Sequence, residues 1–386
     1  MFVFRFGLFR FYFAVLFAVG FAVQGLSAQE RSSSAQLIQT IRENPDNRAA
    51  RWALSQVAFQ AGNYDAARYH VQLLLRTSRS QNDVDTLTRA LAEITAADPW
   101  NVALSFAFLP STNIRRTTYN TKFETALGIF TPTGGGDEES GVGLSVGAGL
   151  SYALSLPDNS RLTLRARTDH YLYKSSDLNQ TRLLFAVRRD SFAVGRNTAL
   201  EPYVRLRYDE DQTLERRDVG LNLSTGWWLE GGAQLTVSAV LEDRDYLLSD
   251  ALDGPYGRLS IRYSYAFDER TRLGFGVALA RSGPESGHLR YSEGQLSINA
   301  TRRFQDVGMV GLFGQYTMRH YDELFPATTL IRADERLALG LSFQPSSFEM
   351  FGSRPKISCQ VERNSSNIAL YDYNTTDCRL TFDRTF

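Results

Sequence analysis

From about Trp100 to Phe386 the chain repeats short segments in which apolar residues alternate with small or polar ones, with turn residues between them. Phe275-Gly-Val-Ala-Leu279, Leu337-Ala-Leu-Gly-Leu-Ser-Phe343 and Val219-Gly-Leu-Asn-Leu223 show this period of two. Successive side chains of a strand project to opposite faces, so each segment has one greasy face and one small or polar face. A soluble β-sandwich produces the same alternation. Three further features favour a membrane barrel: a secretion signal, an asymmetry of loop lengths and an aromatic last residue.

Residues 1–28 read as a secretory signal peptide. Arg5 and Arg10 give the positive start, Phe11 to Val23 an apolar run, and Leu26-Ser-Ala28 a small-residue cleavage site. The mature chain is expected to begin near Gln29, and the absence of a cysteine there argues against a lipid anchor. The 386 residues suffice for one large barrel and a small extra domain. The 42 basic residues balance the 42 acidic ones, which argues against a nucleic-acid partner. The mean hydropathy of -0.27 is compatible with a barrel, which turns only every second strand residue to lipid. No apolar run long enough for a membrane helix follows residue 28.

Residues 29–98 carry helical periodicity and read as a separate domain. Leu37, Ile38 and Ile41 share a face before Asn44-Pro45 stops the helix. Gly62-Asn63 then separates a helix bearing Trp52, Val57 and Phe59 from one bearing Ala66, Ala67, Val71 and Leu74. A tight turn with small residues at the crossing resembles one tetratricopeptide unit, with a further helix at about Val84 to Thr95. The helices carry the aromatics Tyr64 and Tyr69 beside Trp52 and Phe59. Core packing is the plainer role for the latter two.

Asp98-Pro99-Trp100 ends the helices, and residues 99–386 read as the barrel. The expected strands are 100–109, 141–154, 161–173, 181–194, 201–208, 216–229, 233–244, 256–267, 271–282, 291–303, 307–320, 332–343, 355–362 and 377–386. The fold class is thus an all-β transmembrane barrel of about 14 antiparallel strands behind a small α-helical domain. An even count puts both barrel ends on one side, the periplasm if the helices lie there. Pro157-Asp-Asn159, Glu230-Gly-Gly232, Asp268-Glu-Arg270 and Gln305-Asp306 form the short set of connections. The long set comprises 110–140 with Gly134-Gly-Gly136, 245–255, 283–290, 321–331 and 363–376. The connection 344–354 is long on the short side. Parity turns Leu162, Leu164, Ala166, Leu172, Val204 and Leu206 outward. It turns Arg165, Arg167, Asp169, Arg205, Arg207 and Asp209 to the lumen, as lining or as solvated filler. Trp227, Tyr265, Phe267 and Phe386 fall where an aromatic belt belongs.

The chemistry-bearing signals are few. Gly143-Leu-Ser145-Val-Gly147 matches the G-x-S-x-G elbow of hydrolases, but it lies inside a strand, and His170 on the neighbouring strand has outward parity. An enzyme is not expected. The two cysteines and four scattered histidines give no metal or cofactor site. Cys359 and Cys378 point to the same face of consecutive strands, either as a cross-strand disulfide or as two buried thiols. Leu380-Thr-Phe382-Asp-Arg-Thr-Phe386 resembles the terminal signal read by the barrel assembly machinery, without its upstream glycine and with Arg384 where a second aromatic is usual.

Two patches then carry a family resemblance. Pro99-Trp100 followed by Pro110-Ser-Thr-Asn113-Ile114, and Arg354-Pro355 through Val361-Glu-Arg-Asn-Ser-Ser-Asn367-Ile-Ala-Leu-Tyr371-Asp-Tyr373, resemble surface lipoprotein assembly modulators. The resemblance spans essentially the whole mature chain. It implies a periplasmic tetratricopeptide-like domain ahead of a fourteen-stranded barrel in the Gram-negative outer membrane. It also implies a role in moving lipoproteins, or other client proteins, to the cell surface. The implied partners are the client, with Tyr64 and Tyr69 of the helices as its candidate contacts, outer-membrane lipid and the barrel assembly machinery. The implied route is the lumen or a seam between the first and last strands. This chain has about one helical repeat where longer members carry several, which weakens the case for client docking. The alternative is a passive porin with a helical spacer, in which Arg165, Arg167, Arg205 and Arg207 set ion preference.

Overall fold

The computed structural model of the chain describes residues 28–44, 47–125, 128–131, 138–350 and 352–386. The expected signal peptide, apart from Ala28, and Gly134-Gly-Gly136 lie outside the described residues. Among the described residues four α-helices lead: α1 (Ala28–Glu43), α2 (Arg48–Gln60), α3 (Tyr64–Arg76) and α4 (Gln81–Ala97). Their ends follow capping chemistry. The side chain of Asn47 accepts from Ala50 N at 2.9 Å, and that of Asn63 accepts from Ala66 N at 3.1 Å. Gly62 takes φ +71° to turn α2 into α3, and Ser80 caps α4 by accepting from Asp83 N at 3.2 Å.

The chain divides into two compact units, residues up to Leu74 and Leu75–Phe386. In the first, α1 packs on α2, and Ala50, Leu54, Ala67, Val71 and Leu74 are buried. Leu37 and Ile41 are half-buried, whereas Ile38, expected on the same face, is exposed. The second unit takes in α4 with the barrel, where helical periodicity alone grouped α4 with the helices before it.

Among the described residues sixteen strands follow. They are β1 (Trp100–Ser111), β2 (Phe123–Thr125), β3 (Gly128–Phe130), β4 (Gly141–Leu156), β5 (Ser160–Leu172), β6 (Gln180–Ala193), β7 (Arg196–Tyr208) and β8 (Leu214–Trp228). Then come β9 (Gln234–Tyr246), β10 (Gly254–Ala266), β11 (Thr271–Ser282), β12 (Tyr291–Phe304), β13 (Gly308–Leu324), β14 (Ile331–Pro345), β15 (Lys356–Ser366) and β16 (Tyr373–Thr385). The pair β2 and β3 forms a separate hairpin within the first long connection. The other fourteen close into an antiparallel barrel in chain order, with β1 between β4 and β16. Closure matters physically, since an open sheet edge has no partner in hydrocarbon.

One end of the barrel, the turn side, carries connections as short as Val194-Gly195, with 346–355 as the long exception that the sequence also shows, and the other, the loop side, carries 112–140 and connections of five to eight residues. The strand β7 begins five residues earlier than alternation suggested. Gly195, at φ +60°, makes a tight hairpin that continues the pairing through Ala193↔Arg196. Likewise β16 begins at Tyr373, because its first turn-like residues, Asn374 to Thr376, are polar but still paired to β15. Outside the barrel Leu164, Val219, Leu241, Leu279, Leu312 and Leu339 stand exposed on alternate positions. Such a continuous apolar exterior is stable only against lipid. Trp100, Tyr263, Phe267, Phe304 and Phe386 are exposed near the turn side, as an aromatic belt requires.

Candidate functional site

The face opposite the exposed leucines is the lumen, and there β5 to β9 carry a continuous network of arginines and carboxylates. Arg165 donates to Glu201 at 2.8 Å, and Arg188 donates to Asp190 at 2.9 Å. Arg205 lies 3.3 Å from Asp218 and 3.4 Å from Glu242, which also take Arg216 at 2.6 Å and Arg244 at 2.8 Å. Arg167 donates to Asp169 at 2.6 Å and Arg207 to Glu215 at 2.9 Å. Asp190, Glu201, Asp218 and Glu242 are buried against the wall, whereas the guanidiniums are half-exposed or exposed. At these four positions the carboxylate lies deeper in the wall than the guanidiniums it holds.

Small residues make this packing feasible. The Tyr203 hydroxyl donates to Glu242 at 2.5 Å, reaching from β7 to β9 over Gly220 of β8. A Cβ at Gly220 would lie 2.5 Å from the tyrosine ring. A Cβ at Gly147 would fall 2.5 Å from Asp169 Oδ1, so β4 too makes room for its neighbour's charges. The inner face of β1 and β4 is accordingly almost free of long side chains, with Ala103, Ser105, Ala107, Gly143, Ser145, Gly147 and Gly149 in register.

On the loop side the first long connection folds inward. Asn113 is fully buried and is bonded on every side. Its Nδ2 donates to Thr117 O at 2.8 Å and Asn374 O at 3.2 Å, and its Oδ1 accepts from Thr117 N at 3.0 Å. Arg116 follows at φ +52° and extends into the lumen, 3.0 Å from Asp377 and 3.5 Å from Glu362. Thr118 and Asn120 donate to Ala369 O at 2.7 and 3.0 Å, which ties this connection to the last one. Outside the membrane-spanning segments, Arg115 bridges Glu139 and Asp177 at 2.5 Å each. Its hydrogen bonds hold the Asp177 carboxyl below the usual range, and a bond from Ser175 followed by Arg115 does the same for Glu139. Beneath Arg116 the lumen keeps a cavity of about 600 Å³ lined by Pro110, Phe313, Lys356 and Arg379.

On the turn side α4 is fastened to the β4–β5 turn. Asn159, at φ +54°, donates from Nδ2 to Asp85 at 2.7 Å and accepts from Thr88 Oγ1 at 2.5 Å. Nearby, Gly195 N donates to Ser78 Oγ at 3.5 Å, and the Arg76 guanidinium lies 5.7 Å from the centre of the Trp228 ring.

Of the residues singled out in the sequence, Arg165, Arg167, Asp169, Arg205 and Arg207 all sit in the lumen network. Tyr64 is half-buried with its ring edge-on to Phe59 at 5.6 Å, and Tyr69 is exposed beside His70. Cys359 and Cys378 face each other in register, 4.0 Å apart at Cα, and are joined by a disulfide. They share parity with exposed Ile357 and Val361, so the bond lies on the outer face. Leu380 and Phe382 share that outer face, and Phe382 is buried near Phe106 across the β1–β16 pairing. Ser145 is opposite Tyr171, while His170, opposite outward Val146, bonds Thr181. Sequence reasoning missed Asn113, Arg116 and Asn159 as functional positions. Asn113 does lie in the first of the two family-like patches, but a loop asparagine reads as turn chemistry until its partners are known. No cluster that could hold a metal ion occurs among the described residues.

Residues 100–386 match the family model for surface lipoprotein assembly modifiers. The chain is similar to Surface lipoprotein assembly modifier 1 of Haemophilus influenzae, 21% identical over 350 residues, covering 87% of this chain and 70% of that protein. Among solved structures it is similar to a loop-deleted OmpT, an outer membrane protein of Vibrio cholerae. The TM-score is 0.40 at 11% identity, covering 74% of this chain and all of that one. OccK9 (OpdG) of Pseudomonas aeruginosa gives 0.40 at 10%, covering 74% and 98%.

Proposed function

Because this chain belongs to the surface lipoprotein assembly modifier family, we propose that it is an outer-membrane barrel that helps deliver a lipoprotein, or another client protein, to the cell surface. The family match over 100–386 carries the reading, since it spans the entire barrel from Trp100 to Phe386. The even strand number supports placing α1 to α4 and the turn side in the periplasm, with the loop side facing out. Tyr69 is the exposed aromatic proposed to touch the client, and half-buried Tyr64 is the second candidate contact. The role needs no bond to be made or broken. The outward route is proposed to be the lumen or the β1–β16 seam, where Leu109 and Pro110 interrupt the registered pairs. Assembly into the membrane by the barrel machinery through Leu380, Phe382 and Phe386 belongs to the same proposal.

The lumen cavity and its charged lining favour a second reading, a passive porin. Protease shaving of intact cells separates the two. Without this protein, a neighbouring candidate lipoprotein should remain in the cell but lose its protease-accessible surface pool. Full exposure of every candidate client would sink the delivery role and leave the porin.

A further inference from the structure

The register across β6 to β8 sets three arginines side by side on the lumen face, and Asp169 of β5, already bonded to Arg167, stands opposite the first of them. Arg182 of β6 is directly opposite Arg207 of β7, and Arg207 is directly opposite Arg216 of β8. Paired strands lie roughly 4.8 Å apart, and like charges directly opposite each other are destabilising. The wall does not relieve this row evenly. Arg207 has Glu215 and Arg216 has Asp218, but Arg182 makes no ion pair among the described residues. It donates to Gln180 at 2.9 Å and lies 4.8 Å from the centre of the Tyr171 ring. Arg207 Nε is buried with no hydrogen-bond partner among the described residues.

The row borders a cavity of about 340 Å³ that Arg167 and Arg205 also line, so five guanidiniums face two carboxylates there. Of those carboxylates, Asp218 is buried and already takes Arg205 and Arg216, and Asp169 takes Arg167. We propose that this cavity is a binding site for a phosphate-type oxyanion, free in solution or carried by a small water-soluble molecule, seated on the Arg182–Arg207–Arg216 row. Planar guanidinium forks match tetrahedral oxyanions with paired hydrogen bonds, and the volume suits a small ligand. The sheet itself separates the site from the lipid phase, so the anion arrives through water. Bound there, it neutralises the repulsion along the row.

The test is calorimetric titration of the full chain, purified in detergent, with inorganic diphosphate and separately with glycerol phosphate. Folding of each variant is checked by heat-modifiable gel migration. The wild type should bind diphosphate saturably, Arg182→Gln should weaken binding about tenfold, and Arg182→Gln with Arg207→Gln should abolish it. Arg363→Gln, an exposed arginine in phase with outward Val361, should bind as the wild type does. Binding of diphosphate alone identifies a free inorganic anion, and binding of both ligands a phosphomonoester; either supports the site. No saturable binding by the wild type, or equal loss in Arg363→Gln, overturns it. So does undiminished binding by the folded double variant. The delivery role stands or falls separately, on client exposure.

Discussion

At the scale of single residues, the barrel's mouth depends on an asparagine. Asn113 is fully buried and serves both Thr117 and the backbone of Asn374, so one side chain fixes where the first long connection enters the lumen. Asn113→Ala removes those bonds and strands buried backbone groups, at a cost of roughly 2–3 kcal/mol. The expected result is a barrel that still assembles but is cut faster by trypsin at Arg115 and Arg116. Unchanged cleavage kinetics would mean that Arg116, through Asp377 and Glu362, holds the loop without help. The same scale shows why only half of the lumen network was legible. Arg165, Arg167, Asp169, Arg205 and Arg207 follow from parity, because an ionised group on the lipid face is costly. Their partners do not follow, because Tyr203 reaches Glu242 across an intervening strand, and the signal for that reach is an absent side chain at Gly220.

At the scale of elements, α4 and the β4–β5 turn act as a clamp. Asn159 contributes both its left-handed backbone and its two side-chain bonds, to Asp85 and Thr88. The two contributions separate by mutation. Asn159→Ala should weaken the turn and the clamp by about 1–2 kcal/mol together, while Asn159→Gly should restore the turn and leave the clamp broken. Hydrogen exchange of α4 reads the outcome: faster exchange in both variants places the effect in the side-chain bonds, and recovery in the glycine variant places it in the backbone. A second element-scale expectation concerns β15 and β16. Cys359 and Cys378 are 19 residues apart, and closing a loop of that size stabilises by roughly 3 kcal/mol. Reduction, or Cys359→Ser with Cys378→Ser, should lower the temperature at which the barrel unfolds on a gel. Strand existence was legible throughout this region because lipid on one side and water on the other impose a period of two. The early starts of β7 and β16 were not, since the Gly195 hairpin and the paired polar residues after Tyr373 leave no apolar alternation to read. The docking of α4 was likewise invisible, because it depends on the conformation of a turn more than seventy residues downstream rather than on any property of the helix.

At the scale of the whole molecule, the division of labour is between a helical unit ending near Leu74 and a barrel unit that begins with the end of α3 and α4. Delivery predicts that loss of the protein strands its client inside the cell, and protease shaving reads that outcome directly. Within the barrel unit the cross-strand disulfide has a mechanical consequence. Hydrogen bonds between strands can unzip in succession, but β15 and β16 are also joined covalently through their outer face. Any opening of the wall must therefore leave these two strands moving as one stiff leaf. The hinge lines of the cylinder are confined to the joints on either side of that leaf and beyond.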